Sequence, residues 1–270
     1  MATVQHTQPD TVCSLCDGTG WKNIAIAGKA NRVTRCDCRV AARAQRLLAQ
    51  AEIPRQYEHC TLADFDVTFR SATESLKRAL MTATRFVEQY PLEKEGMLLW
   101  GDCGTGKTHL AIAILKELVQ QKGTRCLFRG YSALLKQLQA TYNRQMIADE
   151  GVVLTEYSIL RDVTDVEVLV LDDLGAEKSS DWTLSMLYHV INERYNQGRT
   201  TIITTNLPWD DPQAAAPLDR MTPAQRAMKS ETLRDRISER TYSRITEMCP
   251  IRLQLISNKD YRQIRGARSS

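Results

Sequence analysis

No stretch of this 270-residue sequence approaches the roughly 20 consecutive apolar residues that cross a bilayer as a helix. The first residues also lack a basic stretch followed by an apolar run, the mark of a secretory leader. These absences exclude a helical membrane protein and predict a cytoplasmic one with no membrane partner. A strong charge of one sign is missing as well: the formal charge is +4 and the pI about 8.6. That balance is compatible with nucleic acid or an acidic partner but demands neither, since ordinary surfaces mix both signs. Internal repeats and low-complexity tracts are absent too, which excludes a repeat architecture.

What is present suffices for a full core. Hydrophobic residues make up 43% of the chain, at a length that fits one medium domain and a small appendage. Without a leader, the eight cysteines are expected as reduced thiols or metal ligands. Cys13 and Cys16 form Cys-x-x-Cys and Cys36 and Cys38 form Cys-x-Cys, whereas Cys60, Cys103, Cys126 and Cys249 are scattered. Four thiolates so spaced can converge on one tetrahedral zinc ion. The segment between them holds too few apolar residues for a core, so metal binding would supply its folding energy. A strand is expected over 21–26, a hairpin turn over 28–31 and a connecting helix over 39–51, stopped by Pro54. The division that follows is a zinc module with its connecting helix over 1–50 and a larger domain over 51–270.

Beyond Ile53, helical and strand patterns alternate, as in an α/β fold whose parallel sheet has helices on both faces. Helices are expected over 71–90, 107–121, 131–142, 182–196 and 233–245. Strands are expected at 96–100, 125–128, 166–171, 200–205 and 251–256, with a proline-rich loop over 208–223.

Gly101-Asp102-Cys103-Gly104-Thr105-Gly106-Lys107-Thr108 lies between one such strand and helix, the context that confirms a phosphate loop. Its glycines let consecutive amide N–H groups turn inward around the phosphates of ATP, and the new helix adds its positive end. Lys107 would reach the β- and γ-phosphates, and the Thr108 hydroxyl would ligate Mg²⁺. Downstream, the apolar run 169–171 ends in Asp172 and Asp173, at the sheet edge where such folds bind ligands. Asp172 is the natural Mg²⁺ partner and Asp173 the candidate to orient water. The strand 200–205 ends at Thr204-Thr205-Asn206, where Asn206 could sense the γ-phosphate and that water.

Together these runs, with His109-Leu110 after the loop, Gly175 after the acids, and Ile191-Asn192-Glu193-Arg194-Tyr195, resemble AAA+ ATPases of the DnaC and IstB families. The similarity extends over most of 53–262. It implies a P-loop NTPase of the AAA+ three-layer type, here preceded by a small four-cysteine zinc module like that on some phage and bacterial loader-like proteins. It adds His109 to the nucleotide-binding run, and it implies an arginine that reaches a neighbouring subunit's ATP and another that contacts the subunit's own. Arg244 fits the first and Arg262 the second, with Arg236 and Arg240 as rivals for the trans role. Many AAA+ ATPases carry Asp-Glu where this chain has Asp172-Asp173, and the shorter acid bears on the vigour of hydrolysis.

The resemblance implies a slow ATPase, stimulated by DNA or partner, that self-associates through the ATP site. Such a protein delivers a hexameric replicative helicase to single-stranded DNA and releases it on hydrolysis. The alternative is a transposition helper that assembles on duplex DNA and recruits a transposase. A metabolic kinase would share the phosphate loop but not the lid arginines or the zinc module. The segment 142–165 stands where such ATPases face DNA, with Arg144 and Arg161 as candidate contacts and Tyr142 and Tyr157 read as packing residues. Arg32, Arg35 and Arg39 near the cysteines fit either nucleic-acid contact or a solvated surface.

Overall fold

Four apolar residues in a row make up Met97–Trp100, so both faces of this strand need cover. Met97 and Leu99 enter one core with Phe86, Ile112 and Leu115, and Leu98 enters the other with Leu134, Val163 and Leu187. The acid-bearing strand divides in the same way, Val168 and Val170 to the first core and Leu169 and Leu171 to the second. A three-layer sandwich follows from this alternation. The computed structural model describes residues 12–26, 29–68, 73–142, 155–209 and 231–257.

In chain order, a hairpin of β1 (Trp21–Ile26) and β2 (Lys29–Arg35) leads into α1 (Asp37–Gln50). The larger unit follows as α2 (Glu74–Gln89), β3 (Met97–Trp100), α3 (Lys107–Lys122), β4 (Cys126–Gly130), α4 (Tyr131–Tyr142) and α5 (Glu156–Asp165). It continues as β5 (Val168–Asp172), α6 (Asp181–Asn196), β6 (Thr200–Thr205), α7 (Leu233–Arg236), α8 (Glu239–Met248) and β7 (Ile251–Gln254). Five strands form one parallel sheet in the order β4-β5-β6-β3-β7. The order sets β6 between the strand that precedes the phosphate loop and the strand that ends in Asp172.

The connecting helix α1 lies on the larger unit: Ala44, Leu47 and Leu48 pack on the first core, and the Phe128 amide donates to the Ala51 carbonyl at 2.8 Å. Arg194, on α6, is fully buried. Its guanidinium donates to the carbonyls of Val163 (2.7 Å), Val166 (2.9 Å) and Thr200 (2.5 Å) and to the Thr201 hydroxyl (2.9 Å). It ties the end of α5 to the start of β6, and burial lowers its pKa to about 9.

Two expectations need correction, and one helix was not expected. The segment 142–165 holds a packed helix, α5, begun by a capping box between Thr155 and Ser158 and buried through Ile159 and Val163. Within it Tyr157 is 73% exposed rather than packed, and Arg161 pairs with Asp165 at 3.4 Å. The single helix expected over 233–245 is two, because Ile237 is extended and the Ser238 hydroxyl accepts from the Thr241 amide to start α8. Tyr142 lies at the end of α4, and Arg144, Arg262, residues 210–230 and the chain before Val12 lie outside the described residues. Among the described residues no helix is long and apolar enough to cross a membrane.

Candidate nucleotide site and cysteine cluster

The C-terminal ends of β5, β6 and β3 stand side by side, and the phosphate loop leaves β3 at Gly101. Gly101 (φ 136°) passes so close to β7 that a Cβ there would meet the Leu255 carbonyl oxygen at 2.2 Å. Gly106 (φ 94°) starts α3 in a left-handed conformation, and a Cβ on it would meet the Phe65 ring at 2.8 Å. Both glycines are therefore required by backbone angle and by neighbours.

Lys107 is buried, and its ammonium donates to the loop's own carbonyls, Gly101 at 2.8 Å and Asp102 at 2.7 Å. Burial lowers its pKa from the usual lysine value. The hydroxyls of Thr108 and Thr204 both donate to the same Asp172 oxygen, at 2.8 and 2.7 Å. Desolvation raises the Asp172 pKa, and the two hydroxyl bonds counter only part of that rise. Asp173 follows with φ 59°, its amide donating to the Thr204 hydroxyl at 2.9 Å and its carboxylate accepting from the Asn206 amide at 2.7 Å. A half-buried carboxylate that accepts from two threonine hydroxyls beside a polar cleft has the chemistry of a site for a hard divalent cation such as Mg²⁺.

These groups line a cleft of about 620 Å³, together with Cys103, Gly104, Gly106 and His109. The structure thus brings together Gly104, Gly106, Lys107, Thr108, His109, Asp172, Asp173 and Asn206. Gly101, Asp102 and Thr105 shape the loop instead, Thr105 donating to the Asp102 carbonyl at 2.9 Å. Sequence reasoning missed the opposite wall, formed by Gln56, Tyr57, His59 and Cys60, because a short 3-10 turn at Arg55–Tyr57 carries no phosphate signature. It named Thr204 within the run 204–206 but gave it no role of its own; the Thr204 hydroxyl donates to the Asp172 carboxylate and accepts from the Asp173 backbone amide, and a threonine in a β-branched strand gives no local sign of that.

None of the three candidate trans arginines lines the cleft. Arg236 is committed to its own chain, paired with Glu231 and donating to the carbonyls of Gly175 and Glu177 at 3.1 Å. Arg240 is exposed on α8. The guanidinium of Arg244 lies over the Tyr188 ring (4.9 Å) and the Tyr195 ring (5.6 Å), with one donor 3.4 Å from the Arg240 carbonyl and its Nε unpartnered. Stacking fixes its plane and leaves most of its donors unspent.

At the other end of the chain, the four Sγ atoms of Cys13, Cys16, Cys36 and Cys38 lie within 4.8 Å of one another. Cys13 and Cys36 are 3.8 Å apart and Cys16 and Cys38 3.5 Å. A zinc tetrahedron with ~2.3 Å Zn–S bonds has edges of about 3.8 Å, whereas a disulfide would need about 2.05 Å. The donor set fits zinc, and all four cysteines are free thiols.

The family model for an IstB-like ATP binding protein matches residues 32–240. The replicative helicase loader DnaC of Escherichia coli K12 is 25% identical over 166 residues, which cover 62% of this chain and 63% of that protein. The chain spans about three fifths of the length of the curated relatives it matches. A crystal structure of the DnaC helicase loader is 32% identical, with a TM-score of 0.56 over 75% of this chain and all of that one. DnaA from Aquifex aeolicus, in its AMPPCP-bound form, shares the AAA+ fold at 19% identity, with a TM-score of 0.54 over 78% of this chain and 55% of that one.

Proposed function

The chain belongs to the IstB-like ATP binding protein family, and from that premise we propose that it is an ATPase that loads a hexameric replicative helicase onto single-stranded DNA. The observation that carries the ATPase part is the hydrogen-bonded line from Thr108 through Asp172 to Thr204, at the foot of the phosphate loop. Likeness to two proteins named as helicase loaders carries the rest.

In this reading the Gly104, Thr105 and Gly106 amides and the positive end of α3 cradle the phosphates. Lys107 leaves the Gly101 and Asp102 carbonyls and turns to the β- and γ-phosphates. Thr108 and Asp172 would hold Mg²⁺, which would supply neutralisation of phosphate charge there. Asp173 orients the attacking water, its carboxylate held in place by Asn206, while the Thr204 hydroxyl holds the Asp172 carboxylate and the Asp173 backbone amide. Arg244 extends to the nucleotide of a neighbouring subunit, so ATP-bound subunits associate, and Arg262 contacts the nucleotide of its own subunit. The cysteine cluster binds zinc and holds the hairpin on α1. Hydrolysis then ends the association and frees the helicase.

The family description also covers IstB-like proteins, so a transposition helper on duplex DNA is the second reading. Turnover of ATP measured alone, with single-stranded DNA, with duplex DNA and with a replicative helicase separates the two, with Lys107→Ala as the blank. Stimulation by single strands and a stable helicase complex support loading. Stimulation by duplex alone, without a helicase complex, selects the transposition helper.

A further inference from the structure

A second groove, of about 420 Å³, runs between the cysteine hairpin, α1 and the C-terminal end of α3, remote from the phosphate loop. Among the described residues five cations line it and no acid does: Arg35 from β2, Arg39, Arg43 and Arg46 from α1, and Lys122 from α3. Trp21, 49% exposed, stands at its edge. The three α1 arginines sit four and three residues apart and share one face of the helix, spread over ~10 Å of its axis.

Several features keep this charge available. Gly20 (φ 76°) makes room for Arg39, whose Cδ would lie 2.8 Å from any Cβ at that position. Asp37, the first residue of α1, is engaged by Lys22 at 2.5 Å. The negative end of α3 is satisfied by its own cap: the Gly123 amide donates to Val119, the Thr124 amide to Leu118, and Arg43 donates to the Gly123 carbonyl at 3.3 Å. Over 12–50 the chain holds seven Lys and Arg against two Asp, so the unit stays cationic even with four thiolates on a divalent metal. Arg35, Arg39, Arg43 and Arg46 are exposed, and their mutual repulsion around one groove is relieved when an anion enters it.

We infer that this groove binds the sugar-phosphate backbone of single-stranded nucleic acid, with the Trp21 ring stacking on a base. A row of cations beside one exposed aromatic ring is the arrangement that grips unpaired strands. The volume suits a nucleotide-sized group within a strand. A duplex keeps its bases stacked inside and offers the Trp21 ring nothing to stack on. The site requires no nucleotide in the ATP cleft. It shares with the proposed function only a partner type, so either can fail without the other.

The test is fluorescence anisotropy of labelled dT20, rU20 and a 20-base-pair duplex with the full, metal-loaded chain, without ATP, over a salt series. Arg39→Gln/Arg46→Gln is expected to weaken dT20 binding about tenfold or more and to lower the slope of log affinity against log salt by about 1.4, for two lost phosphate contacts. Trp21→Ala should weaken it by a similar factor and Trp21→Tyr should restore most of it. The control pair Arg78→Gln/Arg85→Gln, on α2, should leave it unchanged. Comparison of dT20 with rU20 tells whether the groove prefers DNA or RNA. Equal loss in the control pair, no loss in the groove variants, or duplex binding as tight as dT20 and indifferent to Trp21 would overturn the inference. Photo-crosslinking of the unmutated chain to 4-thiothymidine-labelled dT20 gives an answer independent of variant folding. Adducts should map within 21–46, and adducts only elsewhere refute the site.

Discussion

Asp172 carries the sharpest conflict between stability and use. Its folded pKa is raised above the unfolded value, so the stabilising protonated form is fully populated below pH ~4 and is lost as pH rises through the folded value. The ionised, half-buried carboxylate is therefore unfavourable in the ligand-free protein. Asp172→Asn keeps an acceptor for Thr108 and Thr204 and removes that burden. It is expected to raise the melting temperature of the ligand-free protein by roughly 2–4 °C, for about 1 kcal/mol, while abolishing the stabilisation by Mg-ATP seen in the unmutated chain. Differential scanning fluorimetry with and without Mg-ATP reads both effects. Thr204→Val removes the hydroxyl that holds the Asp172 carboxylate and the Asp173 backbone amide. Turnover should fall roughly 10–100-fold while nucleotide affinity, measured by titration calorimetry, changes much less.

At the scale of elements, the hairpin and α6 are held by different means. The β1–β2 hairpin has Trp21, Ile24 and Val33 exposed, and among its described residues no apolar core of its own, so a metal on the four thiolates is expected to close it. Chelation by a zinc-selective agent is expected to release zinc in a ratio of one per chain and open 12–36 to proteolysis. The main thermal transition should stay in place, since the two large cores lie elsewhere. Within α6, Arg194 satisfies carbonyls at the end of α5 and at the start of β6. Arg194→Met would leave those acceptors dry and unpaired. A loss of at least about 3 kcal/mol is expected in urea unfolding, without any change in the residues that line the ATP cleft.

For the whole molecule the proposed association of copies rests on Arg244. Arg244 lies outside its own cleft and is held in plane by Tyr188 and Tyr195. If it completes a neighbour's site, Arg244→Ala should abolish ATP-dependent association in sedimentation velocity while leaving ATP binding by the monomer within about twofold. Association that survives the substitution would move the trans role to Arg240.

Local chemistry was enough to determine much of this protein. The glycine spacing before Lys107, the apolar run that stops at Asp172 and the two cysteine pairs each carry their meaning in a few adjacent residues, because the backbone angles and ligands they specify are local. Strand and helix positions followed from apolar periodicity for the same reason; α5 escaped because its Thr155 cap and its buried face were masked by polar neighbours. Other relations needed the tertiary structure, since they join residues far apart in sequence. The sheet order places β6 between β3 and β5 and so turns Thr204 toward Asp172. The docking of α1 on the first core sets its arginines opposite the end of α3 and creates the basic groove. The packing of α8 on α6 lays Arg244 across two tyrosines. Each depends on which surfaces meet when both faces of the sheet are buried, and no window of sequence contains that choice.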